Sequence, residues 1–529
     1  MCGIAGVFGN HAEQYDVEKM LHYISHRGET SYQAETNRAS GFNFGTNRLA
    51  IVDENMGRQP FYSPDAKVQC VLNGEIYNHN ELRKNLQKHY KFKSSCDSEV
   101  VLAGYLHFGE EIFELIQGMY AVAIYDSNNQ TWYLARDHLG IKPLYYAFDE
   151  EHCLFSSELK SFYGLNIDVI LDFPCGAVMK NRAFTRPGKN YRFNDENSGQ
   201  WSDANAINVG IDKLKRAVSK MLPKKGEIAA CMLSGGVDSS SILTLMRNLH
   251  EGPVVAYTFY NKDASSSDDY EAAKIICEHL NVPLRVVTPT HFQLTDFYKA
   301  KGVWMTETYE PALVRNAVSY HFLSQQISDD GFKFAISGEG ADEVLGGYDY
   351  FELFPKNEID LNIGIALNQL NHTYLKMTDR ASMFATLEVR VPFLDEDWVA
   401  FNTELPGEFR IRNNENKWLL RNMMSRMMPD IIRNRPKLGM NQGAGFGSND
   451  PGKSIYYKAI SEYYKISPDR MKADLKKISN YKENYQIDES NPEEVFNFCR
   501  YIEHGFTKLK GSENRPQLNT STLISAIAN

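Results

Sequence analysis

The stretch CMLSGGVDSSSI, residues 231–242, carries the strongest structural signal in this 529-residue chain. An apolar strand runs into Ser234 and two glycines, and the pattern predicts a helix from about Asp238. Glycines let the backbone turn sharply and approach a ligand closely. The hydroxyls of Ser234, Ser239 and Ser240 are expected to face the start of this helix, where N–H groups and the helix dipole attract an anion. The stretch therefore predicts a phosphate-binding loop.

Acidic residues in and near this loop predict a metal ion. Asp238 would repel a bare phosphate, so its presence indicates a bridging Mg²⁺. A second apolar strand ends in SGEGADE (337–343), and the strands of a parallel sheet present their C-terminal ends together. Asp342 is therefore expected to join Asp238 on the metal, and Glu339 is expected to face the reacting carbonyl.

The loop is not a Walker motif, because the GxxxxGK(S/T) spacing is absent. SGGVDSS instead resembles the SGGxDS loop of the ATP pyrophosphatases, the PP-loop family, which cleave ATP between the α and β phosphates. The resemblance implies ATP as a substrate together with Mg²⁺. The residues expected to bind ATP are Leu233, Ser234, Gly235, Gly236, Asp238, Ser239, Ser240, Phe259, Ser337 and Gly338.

The pattern of apolar residues changes along the chain and predicts two domains. Residues 2–180 alternate short apolar runs with polar turns, which indicates an α+β domain of layered antiparallel sheets with helices. Residues 209–510 alternate apolar strands with amphipathic helices, which predicts an α/β domain with a parallel sheet and a helical C-terminal part. Residues 181–208 are polar and glycine-containing and form the predicted linker, and residues 511–529 form a polar tail.

Composition narrows the class of protein. The formal net charge of −10 gives no electrostatic reason to expect a nucleic acid partner. The eight cysteines include no CxxC pair, which argues against a disulfide framework and for a reducing compartment. The N-terminus lacks a signal-peptide pattern, and no stretch approaches the roughly 20 apolar residues of a membrane span. We therefore expect a cytoplasmic protein with no membrane partner.

The chain begins MCGIAGVFG, and a cysteine directly after the initiator methionine allows two interpretations. Cys2 lies in a short apolar stretch and could be an ordinary buried thiol. It could also be a nucleophile whose own α-amino group, freed by removal of Met1, acts as the base, since that amine has a reference pKa of about 7.7–8.0. The second interpretation explains why the cysteine is terminal.

Three further clusters supply the groups that a glutamine site needs. Arg48 is expected to hold the α-carboxylate as a bidentate pair, and Asp97 to accept from the α-ammonium group. Asn73 and Gly74, in LNGEIYNH (72–79), are predicted to lie in a turn between two strand-like segments. The Asn73 side chain and the Gly74 N–H would then form an oxyanion hole for the attack by Cys2.

These residues resemble the class II, N-terminal-nucleophile glutamine amidotransferases. Joined to a PP-loop domain, they are similar to the glutamine-hydrolysing asparagine synthetase family over about residues 2–445. The resemblance implies that ammonia released from glutamine passes through an internal channel to the second domain. There it would amidate aspartate activated as β-aspartyl-AMP, giving asparagine, AMP, pyrophosphate and glutamate. The shared stretches also include RDHLGIKPLYY (136–146), FSSELK (155–160), LEVRVPFLD (387–395) and NRPKLGM (434–440).

The resemblance implies roles for further residues. Glu75 would contribute to glutamine binding, and Lys437 would neutralise the leaving pyrophosphate. Arg315, together with Glu339, would bind the acceptor. Many family members dimerise, so a homodimer is expected. The residues expected to form supporting ion pairs are Asp379, Arg380, Glu388 and Arg390.

Two departures from the family pattern bear on the substrate. HRGET (26–30) stands where the family usually has HRGPD, which alters the glutamine loop. Ala312 and Leu313 stand where many relatives have threonines beside the acceptor pocket, which removes two hydrogen-bonding groups. The alternative interpretation is therefore an amidotransferase of the same family acting on another carboxylate acceptor, in polysaccharide or natural-product biosynthesis.

Other protein classes are less consistent with the residues present. A β-lactam-forming relative typically lacks the terminal cysteine, and a sugar-phosphate amidotransferase would lack SGGVDSS. A catalytically inactive binding protein on the same fold would be expected to have lost Cys2, Asp238 or Asp342. All three residues are present.

Overall fold

The computed structural model of the chain describes residues 2–33, 41–193, 201–261, 267–439, 443–444 and 454–510. Met1 and the predicted polar tail, residues 511–529, lie outside the described residues. The strands are β1 (Cys2–Phe8), β2 (Thr30–Gln33), β3 (Phe42–Arg48), β4 (Phe61–Tyr62), β5 (Val68–Ile76), β6 (Gly118–Asp126), β7 (Thr131–Arg136), β8 (Tyr145–Phe148), β9 (Cys153–Ser156), β10 (Ile170–Asp172), β11 (Val178–Lys180), β12 (Ala183–Arg186), β13 (Ala229–Met232), β14 (Val254–Phe259), β15 (Leu284–Val287), β16 (Phe334–Ile336), β17 (Glu388–Arg390), β18 (Ile411–Arg412), β19 (Glu415–Asn416) and β20 (Leu509–Lys510). The α-helices are α1 (Val17–Tyr23), α2 (His79–Leu86), α3 (Glu99–Phe108), α4 (Ile112–Leu115), α5 (Asp203–Met221), α6 (Val237–Leu249), α7 (Asp268–Leu280), α8 (His291–Phe297), α9 (Val303–Thr306), α10 (Pro311–Asp329), α11 (Ala341–Leu345), α12 (Lys356–Asn368), α13 (Tyr374–Met383), α14 (Glu396–Glu404), α15 (Trp418–Met423), α16 (Asp430–Arg433), α17 (Ile455–Ile466), α18 (Pro468–Ile478) and α19 (Pro492–Glu503).

Two stacked sheets form the N-terminal half. The first has the strand order β2-β3-β1-β9-β8-β10-β20, and the second has the order β12-β11-β7-β6-β5-β4. Apolar side chains from both sheets meet in one core between them. Phe8 of the first sheet stacks on Trp132 of the second, with ring centroids 4.8 Å apart.

The alternation of side chains along each strand decides what lies between these sheets. Ile4 and Phe8 of β1 point into the core that the sheets share, and Val71 of β5 does the same from the opposite side. Successive side chains of a strand point to opposite faces. Cys2 therefore shares a face with Ile4, and Asn73 shares a face with Val71, so the two sheets bring Cys2 and Asn73 face to face.

A five-stranded parallel sheet forms the centre of the C-terminal half. Its order is β15-β14-β13-β16-β17, and every neighbouring pair is parallel. The chain runs outward from β13 to β15 on one side and continues to β16 and β17 on the other. Ligands of open parallel sheets bind where the strand order reverses. Here that point lies between the C-terminal ends of β13 and β16, which lead into the loops around Ser234 and Ser337.

Buried ion pairs join the two halves. Arg27 lies on the N-terminal side and pairs with both Glu158 and Asp379. Within the C-terminal half, Arg380 pairs with Glu307 over 2.8 Å, and Arg390 pairs with Glu388 over 2.7 Å. The expectation that Asp379, Arg380, Glu388 and Arg390 form supporting ion pairs is confirmed.

The predicted turn at Asn73 and Gly74 is wrong, because both residues lie inside β5 and pair with Ala121 and Tyr120 of β6. An Asn-Gly pair is the strongest short hairpin signal, which explains the error. Gly74 is required for a different reason. Its φ is +142°, and a Cβ at this position would lie 1.9 Å from the carbonyl oxygen of Met119.

The predicted fold class is confirmed: layered antiparallel sheets with helices come first, and a parallel sheet with a helical C-terminal part follows. Residues 181–208, the predicted linker, include β12, which extends the second sheet, and the first turns of α5. None of the helices in the described part of the chain combines the length and apolarity that crossing a bilayer requires.

Candidate active sites

The first candidate site surrounds Cys2, which is 6% exposed. The backbone N–H of Cys2 donates to Asn73 Oδ1 over 3.1 Å. The Nδ2 group of Asn73 is buried and has no hydrogen-bond partner among the described residues. An amide donor that is buried, unpaired and next to a thiol is suited to receive a negatively charged oxygen that forms during attack by that thiol.

The surroundings of the Cys2 thiol affect its ionisation in opposite directions. Burial raises the pKa of the Cys2 thiol, while the positive amino terminus, the Leu49 N–H, Arg48 and the Thr46 hydroxyl act to lower it. Gln59 directs its Nε2 group toward Cys2 Sγ over 3.9 Å. The same Gln59 side chain accepts from the N–H of Leu72 and donates to its carbonyl, which ties the thiol to the strand that carries Asn73.

The predicted glutamine ligands lie close to Cys2. Arg48 is the register partner of Cys2 across β1 and β3, and its guanidinium donates to the carbonyl oxygens of residues 52–54. Asp97 accepts from the N–H of Ile76 over 2.8 Å at the end of β5. Glu75 lies two residues beyond Asn73 on the same face of β5. The structure thus brings together all six residues predicted for the glutamine site, since Gly74 lies between Asn73 and Glu75 on β5.

Glu75 also contacts the C-terminal half of the chain. Its carboxylate lies 3.3 Å from Arg390, which follows Glu388 on β17 of the parallel sheet. Burial raises the pKa of Glu75, and the nearby carboxylates of Asp97 and Glu388 raise it further, against the effect of Arg390. One of the predicted glutamine ligands therefore lies against the sheet that carries the second site.

The second candidate site is a cavity at the C-terminal ends of β13, β14 and β16, where the strand order reverses. The segments that follow β13 and β16 approach each other closely at Gly338. A Cβ at this position would lie 2.8 Å from the backbone nitrogen of Ser239. The residues predicted for ATP binding that line the cavity are Leu233, Ser234, Asp238, Ser239, Phe259, Ser337 and Gly338. Glu339, Asp342 and Lys437 line it as well.

Three residues predicted for ATP binding do not line this cavity. Gly235 and Gly236 form the turn behind it. Ser240 lies inside α6, and its buried hydroxyl has no partner among the described residues. The hydroxyls of Ser234 and Ser239 do meet, with 3.2 Å between their oxygens.

Lys417 lies between the two aspartates predicted to bind Mg²⁺. Its ammonium group is 2.6 Å from Asp238 Oδ2 and 2.5 Å from Asp342 Oδ1. Lys437 reaches the other oxygen of Asp342 over 2.5 Å. Although burial opposes ionisation, these two lysines hold the pKa of Asp342 well below its usual range.

The carboxylates in this cavity fit a magnesium ion. Asp238 Oδ1 is buried and accepts no hydrogen bond from any described residue, so one carboxylate oxygen is available for a cation. Mg²⁺ is commonly held by one or two carboxylates together with phosphate oxygens and water. Asp238 and Asp342 supply that number, and they line the same cavity as Ser234 and Ser239.

Glu339 lines the same cavity, and the ionisation of its carboxyl group departs from its usual range. Burial raises the pKa of Glu339 to about 7, with Lys437 acting in the opposite direction. Its backbone N–H donates to the hydroxyl of Ser337 over 3.3 Å. The side chain therefore remains close to its protonation midpoint at neutral pH.

Arg315, predicted to bind the acceptor, lies on α10 and is already engaged by a carboxylate. Its Nε donates to Glu493 Oε1 over 2.8 Å, and its Nη2 donates to Glu493 Oε2. Arg315 is not among the residues that line the cavity. Ser319, four residues further along the helix and on the same face, does line it.

Three residues at these sites are not identifiable from the sequence. Gln59 precedes a proline in a polar stretch and matches no motif. Lys417 follows NNEN and has the sequence context of an exposed turn lysine, yet its side chain is 1% exposed. Glu493 follows Asn-Pro at a helix start, where an acidic residue usually serves only to balance the helix dipole.

Comparison with known proteins covers both halves of the chain. The family model of the glutamine amidotransferase domain matches residues 1–185, and that of asparagine synthase matches residues 211–365 and 363–462. A probable glutamine-hydrolysing asparagine synthetase of Schizosaccharomyces pombe is 30% identical over 506 residues, covering 87% of this chain and 88% of that protein.

Two further relatives match the same share of this chain. Asparagine synthetase B of Escherichia coli is 28% identical over 494 residues, covering 87% of this chain and 86% of its own length. The nodule asparagine synthetase of Pisum sativum is 29% identical over 497 residues, covering 87% and 81%. With both halves matched and the two sites in place, the chain belongs to the family of glutamine-hydrolysing asparagine synthetases.

Proposed function

We propose that this protein is a glutamine-hydrolysing asparagine synthetase that uses ATP to convert aspartate to asparagine. The observation that carries the proposal is that one chain holds two clusters of side chains suited to these two reactions. Cys2 faces the unpaired amide of Asn73 in one half. In the other half, Asp238, Asp342 and two lysines surround a cavity at the switch point of a parallel sheet.

Glutamine hydrolysis would begin with attack of the Cys2 thiolate on the side-chain amide. The α-amino group of Cys2, free after removal of Met1, would take the thiol proton and later give it to the departing amide nitrogen, which leaves as ammonia. The Asn73 Nδ2 group and the Gly74 N–H would stabilise the oxyanion. Water would then hydrolyse the thioester to glutamate. Arg48, Glu75 and Asp97 would bind the amino-acid end of the substrate.

In the second site, the β-carboxylate of aspartate would attack the α-phosphorus of ATP and release pyrophosphate. Lys437 would neutralise the developing negative charge on the leaving group, and the Ser234 and Ser239 hydroxyls would bind phosphate oxygens. Bound Mg²⁺, held by Asp238 and Asp342, would neutralise charge on the triphosphate. Glu339, with its pKa near 7, is suited to take a proton from ammonia as it attacks the β-aspartyl-AMP carbonyl.

The remaining parts of the proposal concern partners and location. The substrates are the small molecules glutamine, aspartate and ATP, with no nucleic acid or membrane involved. All eight cysteines are free thiols, and seven of them are buried, which supports a reducing, cytoplasmic environment. We also propose a homodimer, because dimers are common in the family.

The test supplies glutamine, MgATP and aspartate, measures pyrophosphate, and identifies the amino-acid product. We expect equal amounts of AMP, pyrophosphate and asparagine, with each dependent on aspartate. Pyrophosphate formation that does not respond to aspartate would contradict the assignment of the acceptor. A matched reaction with ammonium in place of glutamine measures the activity of the second site without that of the first.

A further inference from the structure

A single glutamate from the C-terminal part of the chain pairs with Arg315. Glu493 lies in the first turn of α19 and is fully buried. It faces the Nε and Nη2 side of the Arg315 guanidinium in a bidentate arrangement. Such a pair satisfies both carboxylate oxygens and holds the guanidinium in one plane.

The glutamate is fixed in place from the other side as well. Tyr298 donates its hydroxyl to Glu493 Oε1 over 2.6 Å. Asn497, one turn further along α19, donates to the Tyr298 oxygen over 2.7 Å. Asn491 caps the helix and accepts from the N–H of Glu493 over 3.1 Å. The carboxylate therefore belongs to a rigid buried network and is not a surface group that happens to reach Arg315.

This pairing changes the charge next to the acceptor pocket. Arg315 and Ser319 are four residues apart on α10, and Ser319 lines the cavity. Tyr456 lies near both residues. Glu310, the N-cap residue of α10, places a second carboxyl group near the arginine. The cluster therefore offers an incoming acceptor no net positive charge.

Charge and hydrogen bonding at this point determine how strongly the acceptor's α-carboxylate is selected. A free arginine would favour an acceptor with a charged α-carboxylate over one with a neutral amide there. Hydrogen bonds to charged groups correspond to a preference of about 10- to 150-fold. An arginine already neutralised by a bidentate carboxylate loses most of that preference. The neighbouring Ala312 and Leu313 provide no side-chain hydrogen bonds in compensation.

We propose that Glu493 sets the acceptor specificity of the synthetase site by neutralising Arg315. The site then accepts an acceptor substrate with a β-carboxylate whether the α-carboxyl group of that substrate is free or amide-bonded. The inference rests on the proposed function, because it takes the cavity beside Ser319 to be the acceptor site. It extends the substrate class from aspartate to aspartyl compounds whose α-carboxyl group is blocked.

The wild-type enzyme provides the first test. AMP formation is measured with MgATP, ammonium and either L-aspartate or its α-amide, L-isoasparagine. We expect the two kcat/KM values to differ by less than about tenfold. A larger preference for aspartate would overturn the inference and leave the proposed function intact. If neither acceptor produced AMP, the proposed function itself would fail.

The variant Glu493→Gln provides the second test, because it keeps the shape of the side chain and removes its charge. The Arg315 charge is then free, so the preference for aspartate over isoasparagine should rise about tenfold or more. Glu494→Gln is the matched control, since Glu494 is the next residue of α19 and accepts from the N–H of Asp488. Its preference should match that of the wild type. An unchanged or reduced preference in Glu493→Gln, with glutaminase activity retained, would overturn the inference.

Discussion

The Arg27 guanidinium forms a bidentate ion pair with Asp379, with Nη1 2.8 Å from Oδ2 and Nη2 3.1 Å from Oδ1. The two residues are 352 positions apart, and the pair crosses from the amidotransferase half to the synthetase half. The Nε of the same arginine donates to the carbonyl oxygen of Cys2 over 3.2 Å. The strand that carries Cys2 is therefore connected directly to helix α13.

Arg27→Met should destabilise the whole chain. It leaves Asp379 and Glu158 with buried carboxylates that have lost a cationic partner, which costs about 3–5 kcal/mol. Thermal unfolding provides the measurement. Arg433→Met is the control, because Arg433 pairs with the exposed Asp430. Loss of this pair should lower the free energy of unfolding by less than about 1 kcal/mol. Equal losses of stability in the two variants would show that the buried Arg27 ion pairs stabilise the fold no more than an exposed ion pair does.

Cys2→Ala should abolish asparagine formation from glutamine and leave formation from ammonium unchanged. Cys2 lies in the first sheet, whereas the cavity that would bind ATP lies at the parallel sheet. The two half-reactions are assayed separately as glutamate release and as ammonium-dependent AMP formation. Parallel loss of both activities would contradict the assignment of one reaction to each half. A mature protein that retained Met1 would contradict the role of the α-amino group.

Asn73→Ala should lower glutaminase kcat by about 100- to 1,000-fold, because it removes a donor to the oxyanion. The Nδ2 group of Asn73 is buried without a partner among the described residues, so the one hydrogen bond lost with the side chain is that from the Cys2 N–H to Asn73 Oδ1. Stopped assays of glutamate release measure the effect. Asn128→Ala, at an exposed turn, is the control and should retain full activity. A loss of only a few fold in Asn73→Ala would rule out the oxyanion role.

Local sequence patterns were sufficient for the parts of this structure that depend on neighbouring residues. The run of apolar residues into SGGVDSS predicts a strand, a turn and a helix, and the structure has β13 and α6 at those positions. The Cys2 strand and the individual strands of the parallel sheet are predictable for the same reason. Each of these features is decided within a window of about a dozen residues.

Contacts between distant residues could not be predicted in this way. In the local sequence, Gly74 indicates a turn. The reason for a glycine is visible only in the folded chain, where the Met119 carbonyl of the neighbouring strand leaves no room for a Cβ. Lys417 is 179 positions from Asp238, and Arg315 is 178 positions from Glu493. No periodicity or spacing in the sequence predicts such a pair, because the two charged residues meet only after the segments that carry them have packed together. The supporting residues of each site are therefore recognised only from the folded chain.

Lys417→Met should destabilise the protein and make its stability depend on Mg²⁺. The variant leaves Asp238 and Asp342 facing each other without the ammonium group that separates them. The loss should be about 3–5 kcal/mol without metal. Added MgCl₂ should then raise the thermal unfolding midpoint more than in the wild type, because an ion that binds only the folded state stabilises it.

Lys220→Met is the matched control for the magnesium response. Lys220 also bridges two aspartates, Asp395 and Asp397, at 2.9 and 3.0 Å, but its side chain is 25% exposed. Its removal should produce no added response to Mg²⁺. If MgCl₂ raised the midpoints of both variants equally, Asp238 and Asp342 would not form a magnesium site.

Acid sensitivity should depend on His321, which lies on α10 and stacks on Phe297 with ring centroids 4.5 Å apart. Burial lowers the pKa of His321 to about 4, with a small contribution from His26 and against the effect of the Ala381 carbonyl. The unfolded chain takes up this proton near pH 6.5, whereas the folded chain does so near pH 4. The neutral ring therefore stabilises the fold above pH 6.5, and that stability is lost as pH falls from about 6.5 to about 4.

His321→Gln removes this titration and keeps a donor for the Ala381 carbonyl. Between pH 6.5 and 4 the variant should lose less stability than the wild type, by about 3 kcal/mol. Thermal unfolding midpoints at a series of pH values give the comparison, with the exposed His11→Gln as the control. Parallel curves for wild type and His321→Gln would mean that other groups carry the acid sensitivity. A difference in stability confined to about pH 4–6.5 would assign the acid sensitivity to His321, because the folded and unfolded chains differ in the protonation of this ring only in that range.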